Sequence, residues 1–217
     1  MKYYTPFYSL GIILFLLACT NDDNLKDDLI GTAEVGQIDT NAASCDAIDF
    51  GDWQTSEYNL PYHLGESRKI GLSSCSGSWH SVGTPDQFAV DFEMEIGDYV
   101  LAARGGTVVF VEESGVDGNY PNNKIVIRHA DGTYGQYMHL TFEGAVVETG
   151  QTVSQGDLIG YSGATGFAET PRLHFVVATP LKWNFPYFSI PLTFKNTIAN
   201  ERGLLEGRFY PAYPAAE

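Results

Sequence analysis

Positively charged residues are scarce in this chain. Its 217 residues include 12 Lys and Arg against 27 Asp and Glu, for a formal net charge of −15. Because proteins bind nucleic-acid phosphates through basic surfaces, we expect no nucleic-acid partner. Disorder over most of the chain is also excluded, since 44% of the residues are hydrophobic and supply enough apolar surface for a core.

Long hydrophobic runs are missing as well. Residues 10–18 (LGIILFLLA) are too few to span a bilayer, but they suit the apolar part of a signal peptide. Residues 16–19 (LLAC) resemble a bacterial lipobox, in which the cysteine becomes the lipidated N-terminus. We therefore predict a lipoprotein signal peptide over residues 1–18 and a lipid on Cys19 that anchors the protein to the membrane. The predicted location is the bacterial cell envelope, periplasmic or surface-exposed. The alternative is an ordinary secretory signal with a chance cysteine.

Cysteine is rare, and no Cys-x-x-Cys spacing of a common zinc site occurs. Apart from Cys19, the chain has Cys45 and Cys75. In an exported protein such an even pair predicts a disulfide, the alternative being a pair of metal ligands. The disulfide would close a loop of about 30 residues and stabilise the fold by about 3 kcal/mol.

Composition changes along the chain predict its organisation. Residues 19–40 are acidic and lack a helix or strand period, which is typical of a flexible tether. Residues 41–84 form an N-terminal extension that contains the predicted disulfide, and residues 85–180 form the main domain. Residues 181–217 are rich in aromatic residues and proline. We expect them to wrap around the domain as an arm, with one strand near residues 190–194.

Amphipathic helices are not apparent in the main domain, whereas short strands are. Alternating or β-branched segments occur at residues 99–103, 107–112, 124–129, 134–140, 145–147, 158–161 and 173–178. Glycines and an Asp-Gly turn at residues 131–132 separate them. The predicted fold class is all-β, an antiparallel sandwich or a partly open barrel.

Four sequence blocks carry a more specific signal. They are residues 88–92 (FAVDF), 132–140 (GTYGQYMHL), 153–160 (VSQGDLIG) and 163–175 (GATGFAETPRLHF). In this order and spacing they resemble the lysostaphin/LytM-type zinc metallopeptidases, which cut peptide bridges in bacterial cell walls. The resemblance covers roughly residues 87–179 and implies the duplicated β-fold of that family.

The resemblance also implies a zinc site. In the family, a His four residues before an Asp, that Asp, and the second His of a His-x-His strand bind the metal. The matching positions here are Gln87, Asp91 and His174. The His of a Tyr-x-His-Leu block, here His139, and the first His of His-x-His, here Arg172, are the matching catalytic positions.

Two of these positions depart from the family pattern. An uncharged amide at Gln87 is a poor zinc ligand, so either Gln87 or His80, which lies upstream in a Gly/Ser-rich segment, is the candidate third ligand. The alternative for His80 is a surface loop residue. Arg172 shares a strand face with His174, and its guanidinium cannot accept a proton. Arg172 could stabilise an oxyanion, although a cation beside Zn²⁺ is electrostatically disfavoured. The alternative is that Arg172 pairs with Asp91 and fills a vacated metal site.

These departures leave two functions open. The first is an envelope protein with a metallopeptidase-like domain that contacts peptidoglycan peptides or an envelope protein, with impaired or lost catalysis and weakly bound zinc or none. The second is an active zinc endopeptidase that cleaves cell-wall peptides, with His80 as the replacement ligand. Gln87 and Arg172 favour the first function.

Overall fold

The computed structural model of the protein describes residues 45–214. The predicted signal peptide, Cys19 and the tether at residues 19–40 lie outside the described residues. Within residues 45–214 the structure contains no helix with the length and apolar character needed to cross a membrane.

Short strands dominate the described chain, which has two 3-10 turns at Cys45–Ala47 and Trp53–Thr55 and no α-helix. The strands are β1 (Ser67–Lys69), β2 (Val90–Glu93), β3 (Tyr99–Leu101), β4 (Gly106–Glu112), β5 (Lys124–Arg128), β6 (Tyr134–Met138), β7 (Leu140–Ala145), β8 (Thr152–Val153), β9 (Leu158–Ser162), β10 (Arg172–Ala178) and β11 (Phe209–Pro211). All strand pairs are antiparallel. The predicted all-β antiparallel class is confirmed.

Residues 45–214 form three sheets. The largest has six strands in the order β2-β10-β6-β5-β4-β8, a second has the order β3-β9-β7, and β1 pairs with β11. Side chains alternate between the two faces of a strand. On β10, Leu173, Phe175 and Val177 therefore enter the main core, together with Val100 and Ile159 of the three-stranded sheet.

The opposite face of the six-stranded sheet is partly covered and partly open. Met138, Val176 and Ala178 pack there against Tyr187 of the C-terminal arm in a second, smaller apolar cluster. Across the same face the strand register aligns Asp91 of β2 with His174 of β10, His174 with Met138 of β6, and Met138 with Lys124 of β5. We call these four residues the cross-sheet row.

Two predicted strands differ in the structure. The segment at 134–140 is divided by His139, whose φ of 67° lies in the left-handed region and separates β6 from β7. In the arm, residues 190–194 form no strand. This part of the arm meets β10 through an isolated bridge between Ser189 and Ala178 and a hydrogen bond from the Ile190 amide to the carbonyl of Val177, while Leu192 and Phe194 pack into the core. The strand of the arm lies further along, where Phe209–Pro211 pairs with β1.

A disulfide links Cys45 to Cys75, whose Cα atoms are 6.0 Å apart. Further hydrogen bonds fix the segment that follows Cys75. The Cys75 amide donates to the carbonyl of Gln87, and the Thr84 hydroxyl donates to the carbonyls of Trp79 and Ser81. The segment from residue 73 to residue 87 is thus a tied loop between β1 and β2, and it carries His80 to the open face of the sheet.

Candidate metal centre

Asp91 and His174 meet because their strands pair. They are direct cross-strand partners on β2 and β10, and their side chains leave the sheet on the same face. Nδ1 of His174 lies 2.7 Å from Oδ1 of Asp91. Both side chains are buried, so the carboxylate and the imidazole interact strongly in a site largely shielded from water.

His80 completes a group of three possible ligands. Its ring is 1% exposed, so the alternative of a surface loop histidine is wrong. Nδ1 donates to the carbonyl of Ser73 at 3.1 Å, and Nε2 faces Oδ1 of Asp91 at 3.6 Å. Burial lowers the pKa of His80, which keeps the ring neutral with its Nε2 lone pair directed into the site. The ligand atoms of His80, Asp91 and His174 all lie within 4.8 Å of one another.

Gln87 does not take part in this group. Its Oε1 accepts a hydrogen bond from the Gly83 amide at 2.8 Å, and its Nε2 lies 3.6 Å from Sγ of Cys75. The amide therefore stabilises the tied loop. The Gln87 side chain is thus engaged inside the loop, while the loop itself brings His80 close to Asp91 and His174.

A second carboxylate, which the sequence did not indicate, flanks His174. Asp86 Oδ1 lies 3.3 Å from Nε2 of His174, and the Tyr187 hydroxyl donates a short hydrogen bond to the same oxygen. Burial lowers the pKa of His174, but Asp91 and Asp86 outweigh that effect and raise it to about 9. Asp86 and Tyr187 are 101 residues apart in sequence, so only the fold brings them together.

The two carboxylate oxygens of Asp91 have different neighbours, and Arg172 contacts one of them. Its Nε lies 3.1 Å from Oδ2 of Asp91, whereas Oδ1 faces His80 and His174. The rest of the guanidinium turns away and donates to the carbonyls of Phe167 at 2.8 Å and Thr170 at 3.4 Å. Burial opposes ionisation of Asp91, but the neighbouring His174, His80 and Arg172 lower its pKa overall. Arg172 thus pairs with one oxygen of Asp91, and the two histidines face the other.

His139 faces the same group from the β6–β7 junction. Its Nδ1 donates to the carbonyl of Thr165 at 2.8 Å, and its ring centre lies 5.8 Å from that of His174. Burial and the nearby cations lower the pKa of His139 to about 3, so the ring is neutral. Since Nδ1 carries the proton, Nε2 is the nitrogen left free to accept one.

The donor set fits a zinc ion. Two imidazole nitrogens and one carboxylate oxygen are a common protein ligand set for catalytic zinc, which keeps a further position open. His80 is oriented by a backbone carbonyl and His174 by the Asp86 carboxylate, the two kinds of partner that usually orient metal-binding histidines. The ion pair of Arg172 involves only the Asp91 oxygen that points away from the histidines.

The group lies in a cleft of about 380 Å³. Its floor is the face of the six-stranded sheet, and its rim carries exposed aromatic side chains. Trp79 and Phe167 contact each other edge to face on one side, with ring centres 5.3 Å apart. Tyr120 and Phe185 are also exposed at this cleft.

Comparisons with known proteins agree with the site. The sequence profile of peptidase family M23 matches residues 86–183. The chain is 39% identical over 89 residues to lysostaphin of Staphylococcus simulans, which covers 41% of this chain and 17% of that protein. It is 39% identical over 85 residues to the peptidoglycan DD-endopeptidase ShyA of Vibrio cholerae serotype O1, covering 39% of this chain and 18% of the relative. The chain thus spans less than a fifth of the length of either relative.

A solved structure of lysostaphin from Staphylococcus simulans aligns with 62% of this chain and 51% of its own, at 28% identity and a TM-score of 0.48. The profile match begins at residue 86 and therefore excludes residues 45–85, including His80. The segment that supplies the third candidate ligand consequently lies outside the region that the profile describes.

Proposed function

Because residues 86–183 form a domain of peptidase family M23, we propose that this protein is a lipid-anchored protein of the bacterial cell envelope that holds zinc and hydrolyses cell-wall peptides slowly. The observation that carries this proposal is the group of His80, Asp91 and His174, with ligand atoms within 4.8 Å of one another. The similarity to proteins named lysostaphin and peptidoglycan DD-endopeptidase supports a cell-wall peptide as the substrate.

Each residue of the cleft has a role that follows from its contacts. His80 through Nε2, Asp91 through Oδ1 and His174 through Nδ1 would hold the ion. A bound zinc ion supplies Lewis-acid polarisation of a peptide carbonyl and acidifies water. His139, neutral and with Nε2 free, is positioned to accept or donate a hydrogen bond at the reacting peptide group.

Arg172 sets the expected rate. It stands where the family resemblance implies a second catalytic His, and a guanidinium cannot take up a proton. It can donate hydrogen bonds, but within residues 45–214 His139 is then the only imidazole at this cleft outside the ligand group. Loss of one acid/base group typically costs about 10²–10⁴-fold in rate. We therefore expect weak hydrolysis by an otherwise complete metal centre.

Zinc content tests the ligand group directly. The full chain, purified in detergent and dialysed against a buffer containing zinc, is expected to retain about one zinc ion, as a three-ligand site with an open position does. The His80→Ala variant is expected to lose most of that zinc. His63→Ala, which removes an exposed histidine outside the cleft, is the matched control. If the wild-type and His80→Ala chains retain equal zinc, His80 is not a ligand.

A non-cutting peptide-binding module is the second candidate, and the contact between Arg172 and Asp91 favours it. In that case the ion pair replaces the metal, because a cation beside Asp91 compensates its buried charge. The two candidates differ in one measurement. Release of fragments from peptidoglycan by the zinc-loaded wild-type chain supports the slow peptidase, and complete absence of release supports the binding module.

A further inference from the structure

The cross-sheet row places a cation at a fixed distance from the candidate ligands. His174 and Met138 are register partners, and so are Met138 and Lys124. Neighbouring strands are about 4.8 Å apart, so the backbones of His174 and Lys124 are separated by about 10 Å. An extended peptide advances about 3.3 Å per residue and covers that distance in about three residues. Both side chains line the same cleft.

Lys124 makes no direct ion pair within residues 45–214. Its cross-strand neighbour Glu112 accepts hydrogen bonds from the amide and hydroxyl of Ser114 and acts on Lys124 only through longer-range charge attraction. The ammonium group lies 5.5 Å from the ring centre of Phe110 and 5.4 Å from that of Trp183. Desolvation by these surroundings lowers the pKa of Lys124 and outweighs the attraction of Glu112. A half-buried ammonium group without a direct carboxylate contact is available to an anion that enters the cleft.

The floor beside Lys124 contains an unsatisfied polar group. Gln136 of β6 is 0% exposed and lines the cleft, and neither its Oε1 nor its Nε2 has a hydrogen-bond partner. Buried amides without partners are rare in native proteins and require an explanation. A polar ligand that enters the cleft next to Gln136 would provide the missing hydrogen-bond partner, which would explain the buried amide. Gln136 and Lys124 therefore make this end of the cleft polar, although its walls are aromatic.

We propose that Lys124 forms a carboxylate-binding subsite, so that the preferred substrate is a peptide with a carboxylate two or three residues from the bond that is cut. Lys124 would pair with that carboxylate between Phe110 and Trp183, and the aromatic walls would strengthen the pair by excluding water. The distance from the cleaved bond rests on the proposed function. The preference for a carboxylate is a property of binding and does not depend on cleavage. The carboxylate is either an acidic side chain or the C-terminus of the peptide.

Matched peptides distinguish these sources. One pair is acetyl-pentaglycine with a free C-terminal carboxylate and its C-terminal amide. The other pair is acetyl-Gly-Gly-Gly-Glu-Gly-amide and its Gln counterpart. Binding to the full chain in detergent, with and without zinc, is measured by isothermal titration calorimetry and by intrinsic tryptophan fluorescence. Cleavage of the same peptides gives KM and kcat.

We expect the wild-type chain to bind the carboxylate member of at least one pair about 10-fold more tightly, as a partly desolvated ion pair allows. Lys124→Met should abolish that difference and raise KM with little change in kcat, and Lys124→Arg should retain it. Lys195→Met, which removes a positive charge outside the cleft, should behave as wild type. Equal binding of acid and amide in both pairs, or a preference that survives in Lys124→Met, overturns the inference. A chain that prefers the carboxylate but holds no zinc and cuts nothing refutes the proposed function alone.

Discussion

At the scale of single residues, the two carboxylate oxygens of Asp91 have different neighbours. One faces the candidate metal ligands and the other faces an arginine. Oδ1 faces His80 and His174, and Oδ2 faces Nε of Arg172. Nε of Arg172 makes an ion pair with that oxygen but no hydrogen bond to it. Arg172 would therefore compensate the charge of the candidate ligand Asp91, while its guanidinium offers no group that can accept a proton.

Arg172→His is expected to raise the rate of peptidoglycan digestion by about 10²–10⁴-fold, because it restores an imidazole that can exchange protons. The measurement is release of dye-labelled fragments by the zinc-loaded full chain. Gln87→His is expected to change nothing, since that side chain is held by Gly83 and Cys75 inside the tied loop. Arg208→His controls for the loss of one positive charge on an exposed strand-end residue. Equal rates for Arg172→His and wild type would contradict the role given to position 172.

Asp86→Asn is expected to weaken zinc binding by about 10–100-fold, the usual effect of removing a carboxylate that orients a ligand histidine. The amide keeps the shape and can still accept from Nε2 of His174, 3.3 Å away, but it lacks the negative charge that makes the imidazole a stronger ligand. Competition with a fluorescent zinc chelator measures the affinity. Glu206→Gln, an exposed acid outside the cleft, is the control for net charge. An unchanged affinity in Asp86→Asn would show that Asp86 does not act on the metal.

At the scale of elements, the alternation of residue types along the sequence allowed several strands to be predicted. Contacts between residues far apart in sequence could not be predicted in this way. The segments around β4, β5, β9 and β10 alternate apolar and polar or β-branched residues, and the structure has strands there. His139 interrupts its strand because its φ is positive. Nothing in the surrounding sequence indicates that a histidine there adopts this backbone conformation. The family resemblance of the four sequence blocks indicated the candidate site residues Asp91, His139, Arg172 and His174. Asp86, Tyr187 and the burial of His80 depend on how a loop and an arm return to the sheet.

The tied loop predicts a link between the disulfide and the metal centre. Cys45→Ala/Cys75→Ala is expected to lower the free energy of unfolding by about 3 kcal/mol, as for a loop of about 30 residues. It should also weaken zinc binding, because the loop that carries His80 becomes less constrained. Urea unfolding and the chelator competition measure the two effects. Thiol labelling of the denatured, unreduced wild-type chain provides the check: two reactive thiols in a Cys19→Ala background would show that no disulfide forms.

At the scale of the whole molecule, the predicted anchor determines where the cleft can act. Cys19→Ala is expected to move the protein from the membrane fraction to the soluble fraction, because the lipid is the proposed attachment. Fractionation followed by a salt wash is the measurement, since salt screens attachment by charge. A matched Cys45→Ala/Cys75→Ala chain keeps Cys19 and should stay with the membranes. Persistence of Cys19→Ala in washed membranes would contradict the lipobox interpretation.

The side chains of β10 alternate between the core and the cleft, which separates stability from chemistry along one strand. Leu173, Phe175 and Val177 face the core, and a change such as Phe175→Ala is expected to cost about 3–5 kcal/mol of stability. Arg172 and His174 face the cleft, where a replacement alters chemistry without opening a cavity in that core. A change at position 172 or 174 therefore acts on the site, and a change at 173, 175 or 177 acts on stability. One strand thus keeps the scaffold and the chemistry on opposite faces, so that either can be engineered with little effect on the other.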